Sequence, residues 1–85
     1  MKLKLLYFGW VQSHIGVAGE DIEVADRLMT VAHLVDWLAQ QAPGYAKALC
    51  ERERLRFSRN YVYVDLSASI DDGDEIAIFP PVTGG

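Results

Sequence analysis

A strand that runs into two consecutive prolines, with four residues after them, dictates how the rest of this chain is arranged. Asp72-Gly73-Asp74-Glu75-Ile76-Ala77-Ile78-Phe79 reads as a turn and then a strand. Asp-Gly is turn chemistry, and Ile76 and Ile78 alternate with Glu75, Ala77 and Phe79. Pro80 stops the strand, because proline has no N–H to give to a ladder. Pro80 and Pro81 favour extended polyproline II, which makes the exit from the sheet stiff and directed. Val82, Thr83, Gly84 and Gly85 follow. At ~3.3–3.6 Å per extended residue, residues 80–85 form an arm that holds a terminal carboxylate roughly 20 Å from the sheet. Gly84 and Gly85 carry no side chains and suit a narrow channel. The carboxylate, ionised at neutral pH, is a poor electrophile, so a reaction at Gly85 requires prior activation, for example as an acyl-adenylate. The competing reading is a frayed terminus, where glycines are common. An aimed exit through a strand and a proline pair argues against it.

The preceding residues read as a support for that arm. Leu3, Leu5 and Tyr7 alternate with Lys4, Leu6 and Phe8, which predicts a strand with the first set facing a core. Residues 9–19 carry three glycines and read as a loop leading to a second strand at Ile22-Glu23-Val24. Thr30 is an N-cap candidate, and Val31, Leu34, Val35 and Leu38 follow at helical spacing. The helix stops before Pro43-Gly44. Its span from Val31 to Ala42 is about 18 Å, enough to cover one face of a small sheet. Tyr45 to Glu51 suggests a short second helix burying Tyr45 and Leu49. Leu55-Arg56-Phe57 reads as a third strand, and Arg59-Asn60 as a turn into Tyr61–Val64. Leu66 and Ile70 close the core. Strands flanking one long helix give a single α+β domain over residues 1–85, with 80–85 as its tail.

Several function classes are excluded or weakened. The net charge of −4 and pI of about 4.9 argue against nucleic-acid binding. The arginines at 52, 54, 56 and 59 read as a solvated face, and secondarily as a patch for an acidic partner. No stretch approaches the ~20 apolar residues of a membrane span. The apolar run at Met1–Leu6 is too short for a signal peptide, so a reducing cytoplasm is the expected compartment. The single cysteine excludes an internal disulfide, and Cys50 reads as a small buried or helix-face thiol. His14 and His33 lack ligand spacing, so no metal site is expected. Asp71, Asp72 and Asp74 suit turn duty around Gly73. The chain shows no self-sufficient active site.

The run from Asp72 to Gly85 resembles the C-terminus of the small-subunit family of molybdopterin synthase, which are ubiquitin-like sulfur carriers. The opening strand ending Leu6-Tyr7-Phe8-Gly9, the long helix and Asn60-Tyr61-Val62-Tyr63-Val64 extend the resemblance more weakly. It implies a β-grasp, with first and last strands adjacent and parallel at the centre of a mixed sheet covered on one face by one main helix. The implied mechanism belongs largely to partners. An activating enzyme consumes ATP and attaches AMP transiently to Gly85. A sulfur donor such as a desulfurase converts the adenylate to a thiocarboxylate, and the large synthase subunit receives the tail for transfer to a pterin precursor. The resemblance also implies a two-plus-two assembly with that subunit. Gly85 carries the reaction, Gly84 permits threading, and Thr83, Val82, Pro81 and Pro80 present the tail.

Alternation supplies the docking face. If Leu3, Leu5, Tyr7, Ile76 and Ile78 face the helix, then Leu6, Phe8, Ala77 and Phe79 face away. Tyr63 joins them if Val62 and Val64 point to the helix. Exposed aromatics gathered on one face mark a partner site, whereas singly exposed apolar residues are ordinary. Phe8, Tyr63, Phe79 and Leu6 are the docking candidates, although Tyr63 is polar-tipped where an aliphatic residue is simpler. A second departure is His33, which stands where a capping box has Glu or Gln. Three alternatives remain open at this stage. They are a carrier for thiamine or another thio-cofactor, a ubiquitin-like modifier joined to lysines, and a binding module with an inert tail.

Overall fold

A computed structural model describes residues 1–25 and 30–81 of the chain. β1 (Lys2–Tyr7) buries Leu3, Leu5 and Tyr7, as its alternation predicts. The residues expected to form a loop after it instead form α1 (Gly9–Ile15). The reason is local: Val11 and Ile15 lie four apart and turn inward together with Trp10. Gly16, at φ 99°, takes the left-handed C-cap and donates to the Gln12 carbonyl at 2.8 Å. Glycines bracket this helix without dissolving it. β2 (Gly19–Glu23) begins earlier than predicted and pairs antiparallel with β1.

α2 (Val31–Ala39) starts at the predicted cap, where Thr30 Oγ1 accepts from the His33 N–H at 3.2 Å. It ends three residues before the expected Ala42. α3 (Pro43–Ala48) then uses Pro43 in its first turn, where the missing N–H is harmless. The expected main helix is α2 and the short second helix expected at Tyr45–Glu51 is α3, to which the unexpected α1 is added. α2 presents Val31, Leu34, Val35 and Leu38, all buried, and α1 adds Val11. Cys50 follows α3 and is exposed, which corrects its reading as a buried or helix-face thiol.

β3 (Arg56–Arg59), β4 (Val62–Val64) and β5 (Glu75–Phe79) complete a mixed sheet in the order β2-β1-β5-β3-β4. β1 and β5 run parallel at its centre, in the register Leu5–Ile76 and Tyr7–Ile78. This is a β-grasp. The helix-facing layer includes Tyr7, Ile78 and Phe57 across three strands, with Ile70 closing it from below. Val64 packs against this core, but Val62 is 64% exposed, because β4 is an edge strand that reaches past the helical cover.

The acidic turn is structural. Gly73 is left-handed and donates to the Lys2 carbonyl, while Asp72 accepts from the Lys2 N–H at 2.6 Å. Asp74 is buried and accepts from the Asp71 N–H at 2.8 Å, Asn60 Nδ2 at 2.9 Å and Arg59 Nε at 3.0 Å. The arginine cluster is largely committed within the molecule: Arg52 pairs with Asp36, Arg54 with Glu51, and Arg56 donates to the Glu53 and Leu55 carbonyls.

Candidate functional site: an aromatic groove beside the exit of β5

The face of the sheet turned away from the helices is built by register. Leu6, Ala77, Ser58 and Tyr63 stand side by side across β1, β5, β3 and β4. Phe79 lies one step further along β5, and Phe8 follows β1. Phe8 meets Phe79 edge to face, and Tyr63 packs on the other side of Phe79 with centroids 5.8 Å apart. All four docking candidates thus belong to one surface. Phe8 and Tyr63 are well exposed, which is unusual for adjoining aromatic rings without a partner. Ala77 faces the same way yet is buried, because bulkier neighbours rise around a methyl group.

Between these side chains runs a groove of about 610 Å³. Leu6, Phe8, Ala77 and Phe79 give it an apolar body, and Ser58, Tyr61 and Glu75 give it polar points. Pro80 and Pro81 line its exit end, so the groove follows β5 to the start of the tail. Pro80 is seated against Gly9: a Cβ on Gly9 would lie 2.6 Å from Pro80 Cγ, and Gly9 has φ +58°. The contact requires the absence of a side chain there. The tail residues Val82, Thr83, Gly84 and Gly85, expected to present the tail and carry the reaction, lie outside the described residues.

Tyr61 is the groove residue that sequence reasoning missed, having been placed in a strand. Asn60 and Tyr61 have φ of 51° and 71° and form the two-residue turn between β3 and β4. Both signs positive is the type I′ arrangement, in which glycine is favoured at the second position. Tyrosine in that place carries backbone strain and presents a ring that is 86% exposed. The signal available in the sequence was Asn followed by a non-glycine at a hairpin turn. Hydrogen bonding to the Glu75 carboxylate pushes the Tyr61 hydroxyl pKa up. Lys4 Nζ lies 3.8 Å from Glu75 Oε1 on the same face.

A separate polar cluster sits on the helical side. Glu20 Oε2 accepts from Tyr7 Oη at 2.7 Å and Tyr45 Oη at 2.6 Å. Burial, and then the bond to Glu20, raises the Tyr7 pKa far above its ordinary value. The bond to Glu20 pushes Tyr45 up to about 12. Both phenols are held neutral, which suits a structural tie between β1, β2 and α3 rather than proton transfer. Among the described residues, no helix is long and apolar enough to cross a membrane.

A β-grasp with a hydrophobic open face, whose last strand leads out through a proline pair, defines the class of ubiquitin-like carrier domains. The chain belongs to the ThiS family, whose model matches residues 5–85. It is 37% identical over 83 residues to a molybdopterin synthase sulfur carrier subunit from Haemophilus influenzae, covering 98% of this chain and 99% of that one. The corresponding Escherichia coli subunit is 39% identical, again covering 98% and 99%. Among solved structures, small archaeal modifier protein 1 of Haloferax volcanii superposes with a TM-score of 0.73 at 26% identity, covering 95% of this chain and 98% of that one.

Proposed function

We propose that this chain is the sulfur carrier subunit of molybdopterin synthase and that Gly85 is its reacting residue. The observation that carries the reading is the continuity of the aromatic groove with the Pro80-Pro81 exit of β5, in a chain with full-length relatives of that name. A partner seated on Phe8, Phe79 and Tyr63 meets the Pro80-Pro81 exit of β5 at the end of the same groove. The large synthase subunit and the activating enzyme are the two partners that use this face, in the cytoplasm. Both require the same tail, so they bind in turn.

The carrier's chemistry is confined to its terminal carboxylate. In the activating enzyme the carboxylate oxygen attacks the α-phosphate of ATP and pyrophosphate leaves. A sulfide equivalent from the sulfur donor adds to the acyl carbon, and AMP departs with the C–O bond. The resulting thiocarboxylate is a softer and stronger nucleophile than the carboxylate. In the large subunit its sulfur forms a C–S bond to the pterin precursor as an oxygen substituent leaves that carbon. Water then cleaves the acyl–sulfur bond, which leaves the sulfur on the pterin and returns the carrier to a carboxylate. Glu75, the groove's acid, lies at the start of β5, so it takes no part in these steps.

The test is intact-mass analysis after incubation with the activating enzyme, ATP and a sulfur donor. One oxygen should be replaced by one sulfur, located at Gly85. The product should then convert pterin precursor when mixed with the large subunit. A chain extended by one residue beyond Gly85 should fail at the first step. Loading without conversion would assign the chain to another thio-cofactor. Isopeptide adducts on many proteins in place of conversion would assign it to a modifier.

A further inference from the structure

The groove contains one charged side chain among its described lining residues, Glu75, whose carboxylate accepts from the Tyr61 hydroxyl but has no cation within hydrogen-bond range. Glu75 is only 17% exposed at its side chain, at the end of the groove opposite Pro80. Its cationic neighbour, Lys4, is 60% exposed, and its ammonium stands 3.8 Å away, outside hydrogen-bond range. Water completes the solvation of such a carboxylate while the groove is open. Once a partner covers the apolar body, that water is expelled, and a carboxylate without a close cation opposes docking. The backbone at this position is fixed from both sides: the Asn60 N–H donates to the Glu75 carbonyl at 2.8 Å, and the Glu75 N–H donates to Asn60 Oδ1 at 2.9 Å. The acid therefore cannot swing out of the way by moving the strand.

We infer that the large synthase subunit, seated on this groove, sets an arginine against Glu75, with the guanidinium lying on the ring of Tyr61. Arginine fits better than lysine for two reasons. Its planar fork engages a carboxylate side-on, and it stacks on aromatic faces, whereas an ammonium does neither as well. Tyr61 supplies that face beside Glu75, held there at the expense of a left-handed backbone. Four residue steps along the strand separate Glu75 from Phe79, roughly 13 Å. The partner thus presents an arginine and an apolar anchor about that far apart. This inference rests on the carrier reading, since it specifies the partner of the same face.

The test measures binding of the full chain to the large synthase subunit and to the activating enzyme by titration calorimetry, at low and high salt. Glu75→Gln keeps the shape and the backbone bonds and should melt within a few degrees of the parent. It should weaken binding to the large subunit by about tenfold or more and reduce the salt dependence, whereas weakening confined to the activating enzyme would overturn the assignment. Tyr61→Ala, at a solvent-exposed ring, should weaken the same complex by about fivefold and serves if the glutamine variant is unstable. Phe79→Ala separates the two readings. If Phe79→Ala abolishes binding while Glu75→Gln and Tyr61→Ala bind within twofold of the parent, the arginine contact is refuted and the docking face stands. If Phe79→Ala also binds normally, the docking face itself is wrong.

Discussion

The rings of Phe8 and Phe79 meet at 82° with centroids 6.4 Å apart, which joins the residue after β1 to the last residue of β5. This edge-to-face pair forms one wall of the groove where the chain leaves the sheet. Its strands are fixed by parallel pairing beneath it and by the Phe8 N–H donating to the Ile78 carbonyl at 3.2 Å. On the proposed carrier role, replacing Phe79 by Ala should cost affinity for the large synthase subunit by roughly 2–4 kcal/mol, the scale of an aromatic anchor. Phe8→Ala should cost less, because that ring is half exposed. A double-mutant cycle read by calorimetry should give coupling of about 0.5–1.5 kcal/mol.

The left-handed Tyr61 predicts a trade between stability and binding. Tyr61→Gly should relieve about 1 kcal/mol of backbone strain and raise the melting temperature. Partner affinity should fall at the same time, because the exposed ring is lost. Thermal melts and calorimetry on the same variant check both directions. Loss of stability without loss of affinity would show that the ring serves the hairpin alone.

Asp74 is the polar centre of the turn that launches β5. Asp74→Ala leaves Arg59, Asn60 and the Asp71 N–H without their common acceptor. The expected loss is about 3 kcal/mol, seen as a fall in melting temperature of roughly 12–24 °C for a domain of this size. Asp72→Ala, in an exposed turn, should lose far less.

The tyrosines on Glu20 predict alkaline destabilisation. A phenol whose folded pKa is raised stabilises the fold fully below its ordinary value and loses that contribution as pH rises through the folded value. For Tyr45 the window runs from 10.0 to about 12, and Tyr7 extends it upward. Melting temperature should fall through that window. Tyr45→Phe should flatten the fall, and phenolate absorbance should show Tyr7 ionising only on unfolding.

Much of the fold was legible because burial on one face imposes a period of two on strands. Leu3, Leu5 and Tyr7, with Ile76 and Ile78, announce two strands that each bury one face, while their parallel pairing at the centre came only from the family resemblance, and Thr30 with its apolar followers announces α2. α1 was not legible, because Gly9, Gly16 and Gly19 look like a loop until Val11 and Ile15 have a core to enter. The boundary between α2 and α3 was also unreadable. Pro43 ends one helix or begins another with equal ease.

For the site, alternation alone placed Leu6, Phe8, Phe79 and Tyr63 on the face away from the helices, and the order strand, Pro80-Pro81, Gly84-Gly85 pointed to the terminus proposed to react. These are properties of neighbours along the chain. Tertiary structure alone decided that Tyr61 borders the same groove, that Ala77 forms its floor, that Gly9 seats Pro80 and that Glu75 lies near Lys4 without a close bond. Each depends on residues far apart in sequence being brought together by strand pairing and by a two-residue turn. The distance and direction of side chains across a sheet follow from register, and no local pattern fixes register between β1, β3 and β5.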